Sequence, residues 1–108
     1  MAAIILPVSA CFCGIQCSTA HLTHADNDCL WRISHRHEEH GDGEWIHFTG
    51  TGYLLRLNAR THPLLRLKAL GLSRAARRLI ATALYCHLTL IHLDAPGDVL
   101  PGFEIFDW

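Results

Sequence analysis

No run in the sequence approaches the roughly 20 apolar residues that a membrane-spanning helix requires, so no membrane span is expected. Nothing rich in Pro, Gly or Ser divides the chain, and it carries no internal repeat or low-complexity segment. With 108 residues, half of them hydrophobic, these absences predict one domain spanning residues 1–108 around one core. Charged residues make up only 18%, a balance that opposes intrinsic disorder.

Catalytic signatures are also missing. The sequence holds no G-x-S-x-G, no H-E-x-x-H, no G-x4-G-K-[ST] and no paired C-x2-C. The opening Met1-Ala-Ala-Ile-Ile-Leu-Pro-Val-Ser-Ala-Cys11 lacks the basic start of a secretory leader, and Pro7 interrupts its short apolar run. A cytoplasmic protein is the expectation. Five cysteines are an odd number, so an internal disulfide framework would strand one, and reduced thiols fit better.

Acidic residues are absent between Glu44 and Asp94, whereas seven of the nine Lys and Arg lie in that interval. Arg60, Arg66, Lys68, Arg74, Arg77 and Arg78 form a basic arm suited to an acidic protein or to nucleic-acid phosphates. Charged faces of two solvated helices would produce the same pattern.

Periodicity gives an order of elements. Residues 15–22 read as a strand, and Thr23-His-Ala-Asp26 has capping-box spacing for a helix. Ala25, Cys29, Leu30, Ile33 and His37 follow at helical spacing, and Gly41-Asp-Gly43 is the expected stop. Residues 44–48 and 52–58 are two strands joined by Thr49-Gly-Thr-Gly52, as in an antiparallel hairpin. Pro63 starts a second helix that Gly71 closes, and Ser73 caps a third, the two forming one bent arm. Residues 88–93 form the last strand. The aromatic tail is expected to dock, either within the chain or across a homodimer. The order βαββαβ predicts an α+β, ferredoxin-like sandwich: an antiparallel sheet with helices on one face.

Strand alternation then places His21, Trp45, His47, Arg56, His92 and Asp94 on the uncovered face, a surface suited to ions, phosphates or planar ligands. A one-residue slip in any strand would disperse the set. Cys11, Cys13, Cys17 and Cys29, with the histidine run that includes His35, His37 and His40, offer zinc as an alternative cofactor, though the spacing is not that of a zinc knuckle. His21, His92 and Asp94 would serve a small hydrolase or nuclease.

Three stretches, Cys17-Ser-Thr-Ala-His-Leu22, Trp45-Ile-His-Phe-Thr-Gly-Thr-Gly-Tyr-Leu-Leu-Arg-Leu57 and Ile91-His-Leu-Asp-Ala-Pro-Gly-Asp-Val-Leu-Pro-Gly-Phe103, together with the final Phe106-Asp-Trp108, carry a resemblance. They resemble an uncharacterised bacterial family of small accessory proteins carried on plasmids, integrative elements and prophages, often beside antirestriction genes. The resemblance implies no activity, no cofactor and no catalytic residue. It implies a context, in which such proteins bind and block or adapt a host machine. The expected role is a non-enzymatic interaction protein that engages a host or phage-defence protein or nucleoprotein complex. Residues 1–14 read as a variable N-terminal extension to the family pattern.

Overall fold

The computed structural model describes residues 4–36 and 45–108. Among the described residues, four strands and three α-helices follow in the order β1 (Gly14–Ser18), α1 (His24–Ser34), β2 (Ile46–Phe48), β3 (Gly52–Arg56), α2 (Pro63–Leu70), α3 (Arg74–Tyr85) and β4 (Leu90–Asp94). None of the described helices is long and apolar enough to cross a membrane. Residues 4–13, ahead of β1, lie exposed on the surface.

Local chemistry sets most boundaries. Thr23 caps α1 with a reciprocal box: its hydroxyl accepts from Asp26 N–H, and the Asp26 carboxylate accepts from Thr23 N–H, each at 3.0 Å. The helix closes at Ser34, earlier than its periodicity predicts, with the His35 imidazole Nδ1 2.7 Å from the Trp31 carbonyl. His37, His40 and the Gly41-Asp-Gly43 stop lie outside the described residues. Pro63 opens α2 and Gly71, at φ 99°, ends it in the left-handed conformation that glycine adopts without strain. Ser73 caps α3 by accepting from Ala76 N–H at 3.2 Å.

The sheet order is β1-β4-β3-β2. β2 and β3 form the expected antiparallel hairpin, and β4 runs antiparallel to β3. β1 instead lies at an edge and pairs with β4 in parallel, Ile15 beside Ile91 and Cys17 beside Leu93. This departs from the ferredoxin-like arrangement, in which β1 would lie between β4 and β3 in an all-antiparallel sheet. The physical cause is the connection after β3. Two helices, α2 and α3, return the chain so that β4 settles directly beside β3, leaving β1 only the outer edge of β4. Glycine at position 52 permits the close approach, since a Cβ there would overlap the Leu93 carbonyl oxygen.

The helices pack on one face of the sheet. Its inward side chains, Cys17, Ile46, Tyr53, Leu55, Ile91 and Leu93, are buried against Leu30 and Ile33 of α1, Leu67 of α2 and Ile80 of α3. A fully buried leucine or isoleucine contributes roughly 2 kcal/mol relative to exposure. The opposite face has no helix over it among the described residues.

The C-terminal tail docks within the chain. Phe106 N–H donates to Ala20 C=O at 2.8 Å, and the Trp108 indole donates to Leu22 C=O at 2.7 Å. His21 holds the tail from beneath. Leu100 N–H donates to its Nε2 at 2.9 Å, and its Nδ1 donates to Glu104 C=O at 2.8 Å. These two contacts fix the neutral Nδ1-protonated tautomer.

Candidate functional site

β-Sheet register brings part of the expected surface together. Gln16, His92, Leu54 and His47 form one row across the uncovered face, with Arg56 beside Leu90 in the next row. Asp94 ends β4 there, its carboxylate accepting from Gln16 Nε2 at 3.2 Å and from the Thr51 hydroxyl. His92 Nε2 is buried and makes no hydrogen bond among the described residues. A shallow depression of about 310 Å³ lies beside it, bounded by Phe12, Gln16 and Leu90.

His21 and Trp45 belong elsewhere, which corrects the predicted surface. β1 stops at Ser18, whose hydroxyl accepts from Ala20 N–H at 3.0 Å and starts a 3₁₀ turn, Thr19–His21. Alternation therefore ends before His21, and the ring turns inward to the tail with 2% exposure. Both its nitrogens are occupied by main-chain groups, so none remains for proton transfer with His92 or Asp94. Trp45 precedes the β2 ladder in a turn and is fully buried, its carbonyl accepting from Arg56 N–H at 2.7 Å.

Cys11, Cys13, Cys17 and Cys29 do not assemble into a zinc site. Cys11 and Cys13 are exposed, whereas Cys17 and Cys29 are buried in the core. Burial pushes the Cys17 thiol up to about 11, and burial likewise raises Cys29, whose thiol donates to Leu70 C=O at 3.2 Å. Protonated core thiols are poor metal ligands. No group of three His, Cys, Asp or Glu side chains among the described residues is placed to hold a metal.

The basic arm divides in two. Arg74, Arg77 and Arg78 occupy the i, i+3 and i+4 positions of α3, opposite its buried stripe of Ala76, Leu79, Ile80 and Ala83. With Leu64 of α2 and Ala81 they line one groove of about 310 Å³. Arg60, Arg66 and Lys68 do not line it.

The groove is built from ordered parts. Arg77 Nε donates to Leu72 C=O at 3.2 Å. Arg78 donates to Gly102 C=O at 3.3 Å, and its guanidinium lies 5.2 Å from the centre of the Phe103 ring. The tail thus holds Arg78, which lines the groove, through Gly102 and Phe103. Neither α2 nor α3 carries an Asp or Glu, and none of the three arginines forms an ion pair among the described residues. Their charge is free to meet an anion. Leu64 was not legible as a site residue, whereas Ala81, overlooked in the sequence, continues the i+3 and i+4 spacing from Arg78 and Arg77.

One family model matches residues 14–108, a span that opens where β1 opens; its description is a family of unknown function, DUF5983, C-terminal domain. No curated protein and no solved structure matches the chain.

Proposed function

On the premise that the chain belongs to the DUF5983 C-terminal-domain family, we propose that it is a non-enzymatic interaction domain of a mobile genetic element. It binds and modulates a host or phage-defence protein, or a nucleoprotein complex, through an acidic surface on that partner. The observation that carries this reading is the convergence of Arg74, Arg77 and Arg78 on one groove that no carboxylate lines among the described residues. Guanidinium groups held at fixed spacing recognise carboxylates and phosphates bidentately. Leu64 and Ala81 add an apolar floor of the kind that protein interfaces use. The mobile-element setting comes from the resemblance of the 17–22, 45–57 and 91–103 stretches to accessory proteins of plasmids and prophages.

The test measures affinity for the partner recovered from cells, and for a polyglutamate peptide, as salt rises. Binding should weaken with salt and fall further in the Arg74→Ala, Arg77→Ala, Arg78→Ala variant. An interaction indifferent to both salt and these substitutions removes the groove from the account. A steep salt slope with duplex or single-stranded oligonucleotide, and none with polyglutamate, assigns the groove to nucleic acid.

A further inference from the structure

A second concavity, of about 250 Å³, opens where α1 meets the β2–β3 turn and the end of the tail. Trp31, Phe48, Tyr53 and Trp108 supply its aromatic lining, with Asn27 and Thr19 between them. Trp31, Phe48 and Trp108 are 49%, 44% and 55% exposed, an unusual amount of open aromatic surface for so small a domain.

These walls are held in place before any ligand arrives. Trp31 stacks on His35 with ring centres 4.0 Å apart, and His35 in turn contacts Phe48 at 4.9 Å. The Trp108 indole is tied to Leu22 C=O, and its ring lies 5.6 Å from His24. The Tyr53 hydroxyl donates to Asn27 Oδ1 at 2.9 Å and shares its proton with the Asn27 carbonyl at 3.1 Å. Rigid aromatic surface lowers the entropy lost on binding.

The polar groups of the site narrow the ligand. None of the described lining side chains is charged, so a phosphate strand finds no cation there, whereas Asp28 acts on the Tyr53 phenol from nearby. Tyr53 already donates to the Asn27 oxygen, while the Asn27 amide N–H groups make no hydrogen bond among the described residues. The Trp31 indole N–H likewise makes no hydrogen bond among the described residues. A complementary ligand is therefore not anionic, apolar in body and rich in acceptors. Polyproline-type peptide meets all three requirements: its prolines have no N–H, its carbonyls are unpaired, and its rings stack on aromatic walls.

We infer that this concavity binds a proline-rich, extended segment of a partner protein, with Trp31, Phe48 and Trp108 gripping proline rings and Asn27 donating to a main-chain carbonyl. The inference rests on the reading of the chain as an interaction domain but uses a different surface. Its test titrates the full chain with a capped oligoproline of about ten residues, a length that forms the extended helix in isolation. Indole N–H resonances are followed by NMR.

Saturable shifts of the Trp31 and Trp108 indoles are expected, with the buried Trp45 unmoved. Trp31→Ala and Asn27→Ala should each weaken binding about tenfold, as interface anchors do. Asn27→Ala keeps the fold testable, because the Tyr53 hydroxyl retains the residue 27 carbonyl. Absence of saturable shifts, or binding that survives both substitutions, overturns the proposal. So does a single-stranded oligonucleotide that moves these indoles where oligoproline does not. Replacing Arg74, Arg77 and Arg78 should leave oligoproline binding intact, so failure of the arginine groove and failure of this site are read separately.

Discussion

The Asp26 carboxylate accepts from both the backbone N–H and the hydroxyl of Ser73, at 2.7 and 2.6 Å, so one buried side chain joins the N-terminal ends of α1 and α3. Each helix cap is thereby completed partly by the other helix. Asp26 is 1% exposed, and its negative charge sits at the positive ends of both helix dipoles. Asp26→Ala should cost about 3 kcal/mol, because it removes charge-assisted acceptors from several donors at once. Ser73→Ala should cost about 1 kcal/mol, the usual effect of losing a cap. Urea unfolding of both single variants and the double should show less than additive losses. Independent, additive effects would show that the two caps do not act as one unit.

His21→Phe keeps the ring volume but leaves Leu100 N–H and Glu104 C=O without their imidazole partner. We expect about 2 kcal/mol of destabilisation. Hydrogen exchange at Leu100 and Phe106 should accelerate well beyond exchange in β3. Unchanged protection at both positions would refute the view that His21 fastens the tail.

Thiol chemistry should separate the cysteines by position. Cys11, Cys13 and Cys86 are exposed; Cys17 and Cys29 are buried, with pKa values raised by desolvation. An aromatic disulfide reagent at neutral pH should therefore modify three thiols in the folded protein and five in denaturant. Rapid native modification of Cys17 would contradict its place in the core.

Stability should fall at alkaline pH with a defined sign. Burial, with Asp28 nearby, moves the Tyr53 phenol from 10.0 to about 12. The unfolded chain releases this proton first, so the folded state holds more protons between these values. Stability is complete below the unfolded pKa and is lost as pH rises through the folded one. Cys17 acts in the same direction from 9.0 to about 11. Tyr53→Phe should lose about 1 kcal/mol at neutral pH from the broken bond to Asn27, yet decline less steeply above pH 10. Parallel alkaline limbs for the two proteins would exclude Tyr53 as a source of the decline.

The elements that announced themselves in the sequence are those governed by neighbouring residues. Thr23 with Asp26, Pro63, Gly71, Ser73 and the Thr49-Gly-Thr-Gly52 turn all use short-range chemistry, and each marks an observed boundary. What escaped depends on contacts between distant segments. Nothing near Ser18 says that its hydroxyl will end the strand, and this determines which way His21 faces. Sheet order escaped for the same reason, since alternation reports a buried face without naming the neighbouring strand. For the arginines, helical spacing alone placed Arg74, Arg77 and Arg78 on one side, whereas the groove they line needs Leu64 from another helix. The aromatic concavity was illegible because Trp31, Phe48 and Trp108 meet only when a helix, a hairpin and the tail converge.

The parallel pairing of β1 with β4 also constrains how the molecule comes into being. During synthesis β1 emerges before the other described strands, yet its ladder partner is the last of them. The hairpin and helices can organise early, while the Gly14–Ser18 segment, which follows the exposed apolar residues Ile4, Ile5 and Val8, waits for β4. Closure over so long a loop is slow, and the waiting segment is sticky. Yield in cells should therefore depend on translation speed and on chaperones more than the equilibrium stability of the finished domain would suggest.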